Sequence, residues 1–199
     1  MEVLPHALSV PPLGDRDELR RRHGFDGRTL VLAGRLVPQK ALEVALRAVR
    51  LEEGVSLVVA GDGPERERAE ALARSIGSNA RFVGAQPRET VFELFRAADA
   101  AVLSSSWESF GLVVAEALSV GTPVIATAVG GVAEVLEDGV NGLLVPPNDP
   151  GALGAAIGRF FADEELRCRL RAAASASVRH LGPEVIYARL ETILRDAAG

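Results

Sequence analysis

From Thr29 onward the chain alternates short apolar runs with stretches whose apolar residues recur at helical spacing. Residues 29–33, 55–60, 80–83, 100–104, 123–127 and 142–145 read as strands. Most are apolar at nearly every position, as in Leu30-Val31-Leu32 and Leu57-Val58-Val59, a pattern expected when both faces of a strand are covered. Between them, Ala41, Leu42, Ala45, Leu46, Ala48 and Val49 keep helical spacing, as do Ala69, Leu72, Ala73 and Ile76, and then Val91, Leu94 and Phe95. The alternation predicts an α/β fold: a doubly wound, Rossmann-like parallel sheet of about six strands with crossover helices.

The rhythm stops after Val145, and residues 149–194 read as about three further helices, broken near Asp163 and at Leu181-Gly182-Pro183. Pro87 and Pro150 mark helix starts. Residues 1–28 read as a connecting segment followed by one short helix. The expected organisation is a linker-like segment (1–28), a ligand-binding Rossmann-like domain (29–180) and a terminal helix (181–199).

Charge narrows the partners. Of 199 residues, 22 are Lys or Arg and 27 Asp or Glu, a net charge of −5, which disfavours a nucleic-acid backbone as the main ligand. The single cysteine, Cys168, excludes an internal disulfide and a cysteine metal cage, and reads as an inert packing thiol. His6, His23 and His180 are scattered and fit no metal-ligand spacing, so no metal site is expected. The chain has neither a long uninterrupted apolar run nor a cleavable leader at its start, and a cytoplasmic location is the expectation.

Ligands of open parallel sheets lie beyond the carboxyl ends of the strands. The first strand ends in Gly34-Arg35-Leu36-Val37-Pro38-Gln39-Lys40, with two cations beside a helix entrance. A cation at a helix amino end opposes the helix dipole unless it shares a bound anion. A diphosphate between Arg35 and Lys40 would fit; solvated loop charges are the alternative. The second strand ends in Gly61-Asp62-Gly63-Pro64, which never completes the dinucleotide fingerprint and reads as a tight turn.

Ser104 to Leu118 is the most informative stretch. Between Glu108 and Glu134 the only ionisable side chain is Glu116, in a helix read over 110–120 and apolar on all sides. A carboxylate there needs hydrogen-bond donors, and ribose hydroxyls qualify; pairing with a buried arginine is the alternative. Phe110-Gly111-Leu112 opens the helix with free N–H groups. The serines 104–106 lack a Gly-x-Ser-x-Gly elbow and a nearby histidine, which argues against a serine hydrolase.

The segments GRLVPQK, LVVAGDGP, RFVG, ESFGLVVAE and GTPVIATAVGGVAEVLEDGVNGLLVPPNDP together resemble the carboxyl-terminal, donor-binding domain of retaining GT-B glycosyltransferases of family four, also called group one. The resemblance runs from about Gly34 to Asp149. It implies that Arg35 and Lys40 hold the donor diphosphate and that Glu116 holds the ribose. Glu108, with the backbone of Phe110, Gly111 and Leu112, would contact sugar and phosphates, and Gly34, Gly61, Val83 and Gly84 would line the nucleotide. Arg35, Lys40 and Glu108 are then the catalytic candidates, the donor is a UDP-sugar or GDP-sugar, and neither metal nor cofactor is needed. Departing diphosphate charge would be met by fixed positive charge.

Two departures stand out. Ala41 follows Lys40 where the family usually has Gly, which is tolerable if Ala41 already lies in the helix. The family's acceptor domain is missing: Val3-Leu4-Pro5-His6-Ala7-Leu8 resembles the linker that normally follows it, with His6 and Ala7 in place of the common Asn and Gly. The expectation is a donor half that transfers sugar weakly or not at all alone, peripheral at a membrane if its acceptor half is. Its terminal stripe of Val185, Ile186, Leu190, Ile193 and Leu194 would meet that domain, a partner subunit or a second copy, or else pack on its own domain. A non-catalytic sugar-nucleotide-binding module and half of a GT-B-fold epimerase are the competing readings; a nicotinamide dehydrogenase is the weakest.

Overall fold

The computed structural model of the chain describes residues 4–198, so the opening of the linker-like segment and the last residue lie outside the described residues. Six parallel strands form the sheet: β1 (Arg28–Ala33), β2 (Val55–Ala60), β3 (Ala80–Gly84), β4 (Ala100–Leu103), β5 (Val124–Thr127) and β6 (Gly142–Val145), in the order β3-β2-β1-β4-β5-β6. Each strand agrees with the sequence expectation to within one residue at either end. The order reverses between β1 and β4, where Leu30 pairs with Ala100, so the crevice of this doubly wound sheet opens there.

Helices cover both faces. Val31, Val58, Ala101 and Ala126 point into one core cluster together with residues of α1 (Arg16–His23), α4 (Arg88–Ala97) and α5 (Leu112–Ser119). Leu30, Leu32, Leu57 and Val102 point into the other, with α2 (Leu42–Arg50), α3 (Arg66–Ile76) and α7 (Pro150–Ala162). The strict alternation between clusters is the pleat at work, and it explains why the strands are apolar at successive positions. A four-residue helix, α6 (Val132–Val135), follows β5 and is too short to leave a periodic signal.

Ahead of β1, Leu8, Leu19 and Phe25 are buried in the first core cluster. Helix α8 (Glu164–Ser177) passes between the clusters, giving Leu166 and Leu170 to one and Ala174 to the other. Cys168 is exposed rather than packed, because Leu166 and Leu170, four residues apart, define the buried face and position 168 falls outside it. The terminal helix α9 (Pro183–Ala198) buries Ile186 but leaves Val185, Leu190 and Leu194 exposed, with Tyr187 beside them.

Asp99, between α4 and β4, ties in three further elements. Its carboxylate accepts from Arg16 (2.7 Å) and Arg20 (3.4 Å) of α1 and from the Thr29 N–H (2.9 Å) of β1. Arg171 of α8 donates to the carbonyls of Ala98 and Asp99 at 3.2 and 3.0 Å. Burial, with Arg16, Arg96 and Arg20 nearby, lowers the Arg171 guanidinium to about 10 despite the opposing pull of Asp99.

Candidate functional site

The loops after β1, β4 and β5 interlock above the switch point. Gln39 sits between the first two: its carbonyl accepts from the Ser106 N–H (2.8 Å) and hydroxyl (3.2 Å), and its side-chain amide donates to the Trp107 carbonyl (2.7 Å). The buried Ser104 hydroxyl donates to the Lys40 carbonyl at 2.8 Å. Thr127, ending β5, donates to the Ser105 carbonyl at 2.6 Å. Gly130 lies so close that a Cβ would overlap the Glu108 carbonyl oxygen, and the Gly131 N–H donates to that carbonyl at 3.1 Å. The serines are loop ties, consistent with the absence of a hydrolase elbow.

The loops after β1 and β4, with α4 and α5, border a cleft of about 380 Å³ whose wall includes Gly34, Arg35, Lys40, Glu108, Phe110, Gly111, Leu112 and Glu116. Residues from two separate segments of chain singled out in the sequence, 34–40 and 108–116, therefore converge on one space. Gly61, Val83 and Gly84 do not line it, since β2 and β3 lie on the far side of β1. Gly61 instead allows its loop to touch the first: a Cβ there would overlap the Gly34 carbonyl oxygen. The Val83 carbonyl accepts from the Gln86 side chain at 2.6 Å, and the Gly84 carbonyl from the Gly61 N–H at 2.7 Å.

Lys40 stands at the amino end of α2, directly ahead of its cap residue Ala41. It ends a short 3-10 turn, Pro38–Lys40, and its ammonium meets the Glu108 carboxylate at 2.7 Å, both side chains largely buried. The charge expected to await a ligand anion is thus met by an acid of the next loop, which also accepts from the Ser105 hydroxyl at 3.3 Å. The Arg35 guanidinium, by contrast, has no hydrogen bond or ion pair among the described residues. Ala41 is outside the helix as well, in the left-handed region at φ 44° and ψ 49°, where it caps α2. This left-handed position, which favours Gly, is therefore held here by a residue with a Cβ.

Helix α5 is shorter than its apolar run implied and is not buried all round. Val114, Ala115, Ala117 and Leu118 face the core, while Leu112, Val113 and Glu116 face the cleft. Leu112 and Glu116 are one turn apart and so share that wall. The N–H groups of Leu112 and Val113 precede the first intrahelical bonds, which run from Val114 and Ala115 to the Gly111 carbonyl, and are the orphan donors of a helix start. Glu116 is not solitary: Arg88, at the start of α4, reaches its Oε1 at 3.3 Å.

Arg88, Gln39 and Gly130 escaped the sequence analysis. Arg88 lies 28 residues from Glu116 in an ordinary amphipathic helix, and no local pattern joins them. The exposed Phe110 at the cleft lip meets the His6 ring edge-on, centroids 5.5 Å apart. Among the described residues no group of His, Cys, Asp or Glu is placed to hold a metal ion, and no helix is long and apolar enough to cross a membrane.

Comparison with known proteins gives the same direction. The family model described as glycosyl transferases group 1 matches residues 15–177. A D-inositol 3-phosphate glycosyltransferase of Xylanimonas cellulosilytica is 42% identical over 176 residues, which are 84% of this chain and 42% of that protein. The sucrose-phosphate synthase of Thermosynechococcus elongatus superposes with a TM-score of 0.90 at 30% identity, covering all of this chain and 53% of that one. The C-terminal domain of a group 1 family glycosyl transferase from Francisella tularensis shares the fold at 23% identity, with a TM-score of 0.75 over 85% of this chain and 93% of that one. The chain spans less than half the length of the curated relatives it matches, such as the Xylanimonas cellulosilytica protein. With a six-stranded sheet in this order and a match over most of its length, the chain belongs to the group 1 glycosyl transferase family.

Proposed function

We propose that the chain is the donor-binding half of a retaining, metal-independent glycosyltransferase that takes a sugar from a UDP-sugar or GDP-sugar. The observation that carries this is the convergence of Arg35, Lys40, Glu108, the amino end of α5 and Glu116 on one cleft. A diphosphate at the cleft meets Arg35, the one of the two loop cations without a partner among the described residues, and the free N–H groups of Leu112 and Val113. Lys40 contributes as half of an ion pair whose acid, Glu108, is within reach of the sugar. Fixed positive charge of this kind stabilises the diphosphate as it departs, and no protein nucleophile is required. Glu116 accepts from the ribose hydroxyls. Transfer is weak or absent until an acceptor half completes the cleft, and the enzyme works in the cytoplasm.

Calorimetry with a panel of nucleoside diphosphates tests the site. UDP or GDP is expected to bind, and Arg35→Ala and Glu116→Ala each to weaken binding by about tenfold, equivalent to roughly 1.4 kcal/mol. Affinities of both variants within about twofold of the wild type would overturn the assignment. Adding a separate acceptor domain and following donor-dependent product separates a transferase half from a non-catalytic binding module.

A further inference from the structure

We propose that Arg88 is a positioning residue of the nucleotide site: it grips one oxygen of Glu116 and thereby presents the other to the ribose hydroxyls. This rests on the donor-site reading above and adds a residue to it.

Arg88 lines the same cleft as Glu116. It is the first residue of α4, where a cation opposes the helix dipole and gains nothing from its own helix. Its guanidinium lies 4.9 Å from the centroid of the Phe92 ring, one turn along α4, and that ring is buried. From this platform both Nε and Nη2 reach Glu116 Oε1, each at 3.3 Å. Among the described residues no hydrogen bond engages Oε2. A carboxylate held by one oxygen and free at the other is oriented but not consumed.

The pairing distances are longer than the 2.7–2.9 Å of a tight charge-assisted bond. The pair therefore orients Glu116 without binding it so firmly that a ribose must compete for it. Fixing the Glu116 rotamer in advance spares the ligand that ordering cost.

The test is calorimetry on the full chain with UDP, GDP and their 2′,3′-dideoxy forms, which lack the hydroxyls that Glu116 would hold. For the nucleotide that binds, Arg88→Ala is expected to weaken the ribose form about fivefold and to leave the dideoxy form within about twofold. In a Glu116→Gln background, removing Arg88 should add no further loss. Arg88→Lys, which keeps the charge but not the planar two-pronged contact, should behave like Arg88→Ala. Arg35→Ala serves as the contrast, weakening ribose and dideoxy forms alike.

Equal losses for the two forms on Arg88→Ala would make Arg88 a general charge for the phosphates and overturn the proposal. Unchanged affinity, or tighter binding, would overturn it as well. Wild-type binding that Arg35→Ala and Glu116→Gln weaken, together with no effect of Arg88, leaves the donor site standing and removes only Arg88 from it. Absence of any nucleoside diphosphate binding overturns both.

Discussion

Ala41 carries the clearest local strain in the site. Left-handed backbone costs an L-residue with a Cβ roughly 1–2 kcal/mol, and Ala41 adopts it between the turn that holds Lys40 and the start of α2. Glycine accepts the same conformation freely but loses more chain entropy on folding. Ala41→Gly is accordingly expected to raise the unfolding free energy by about 1 kcal/mol in urea titration, and an unchanged or lowered value would show that the turn is not strained. At this scale the sequence revealed residue types and not partners. Arg35, Lys40, Glu108 and Glu116 stood out because charge is rare near apolar strand ends, yet Lys40 with Glu108 and Arg88 with Glu116 are joined only by the fold, across 68 and 28 residues.

At the scale of elements, the strands were legible because burial on both faces leaves an unbroken apolar run with sharp edges. Helix α5 was legible as a helix but not in its exact ends or its cleft-facing side, since the run around it is apolar in loop and helix alike, and only contact with the core tells which residues belong to which. Asp99 shows how elements are joined where sequence patterns are silent. Its carboxylate is the acid that accepts from Arg16 and Arg20, and the guanidinium of Arg171, already held to about 10, is close by. Asp99→Asn keeps the shape but leaves the arginines uncompensated. A loss of about 2–3 kcal/mol in unfolding free energy is expected, read by urea titration at neutral pH; a loss under about 0.5 kcal/mol, typical of an unimportant surface change, would show the cluster to be solvated.

Across the whole molecule, the two core clusters fill the two faces of the sheet, and the terminal helix is left partly uncovered. Helix α9 rests on Ile186 while Leu190 and Leu194 face outward. Replacing both leucines with Glu should shift the unfolding free energy by less than about 0.5 kcal/mol, whereas Ile186→Ala should cost about 2 kcal/mol. Chemical denaturation of the two variants side by side checks this, and a large loss for the leucine pair would mean that they pack against the chain itself or against a second copy. The apolar stripe was visible in the sequence, but periodicity marks a face without saying what covers it.

Gln39 joins two loop ends through both its main chain and its side chain, so the lips of the cleft form a single stitched rim rather than two separate flaps. For anyone reshaping the entrance to accept a different sugar, lengthening one lip alone would tear that seam. Changes there have to be designed as matched pairs.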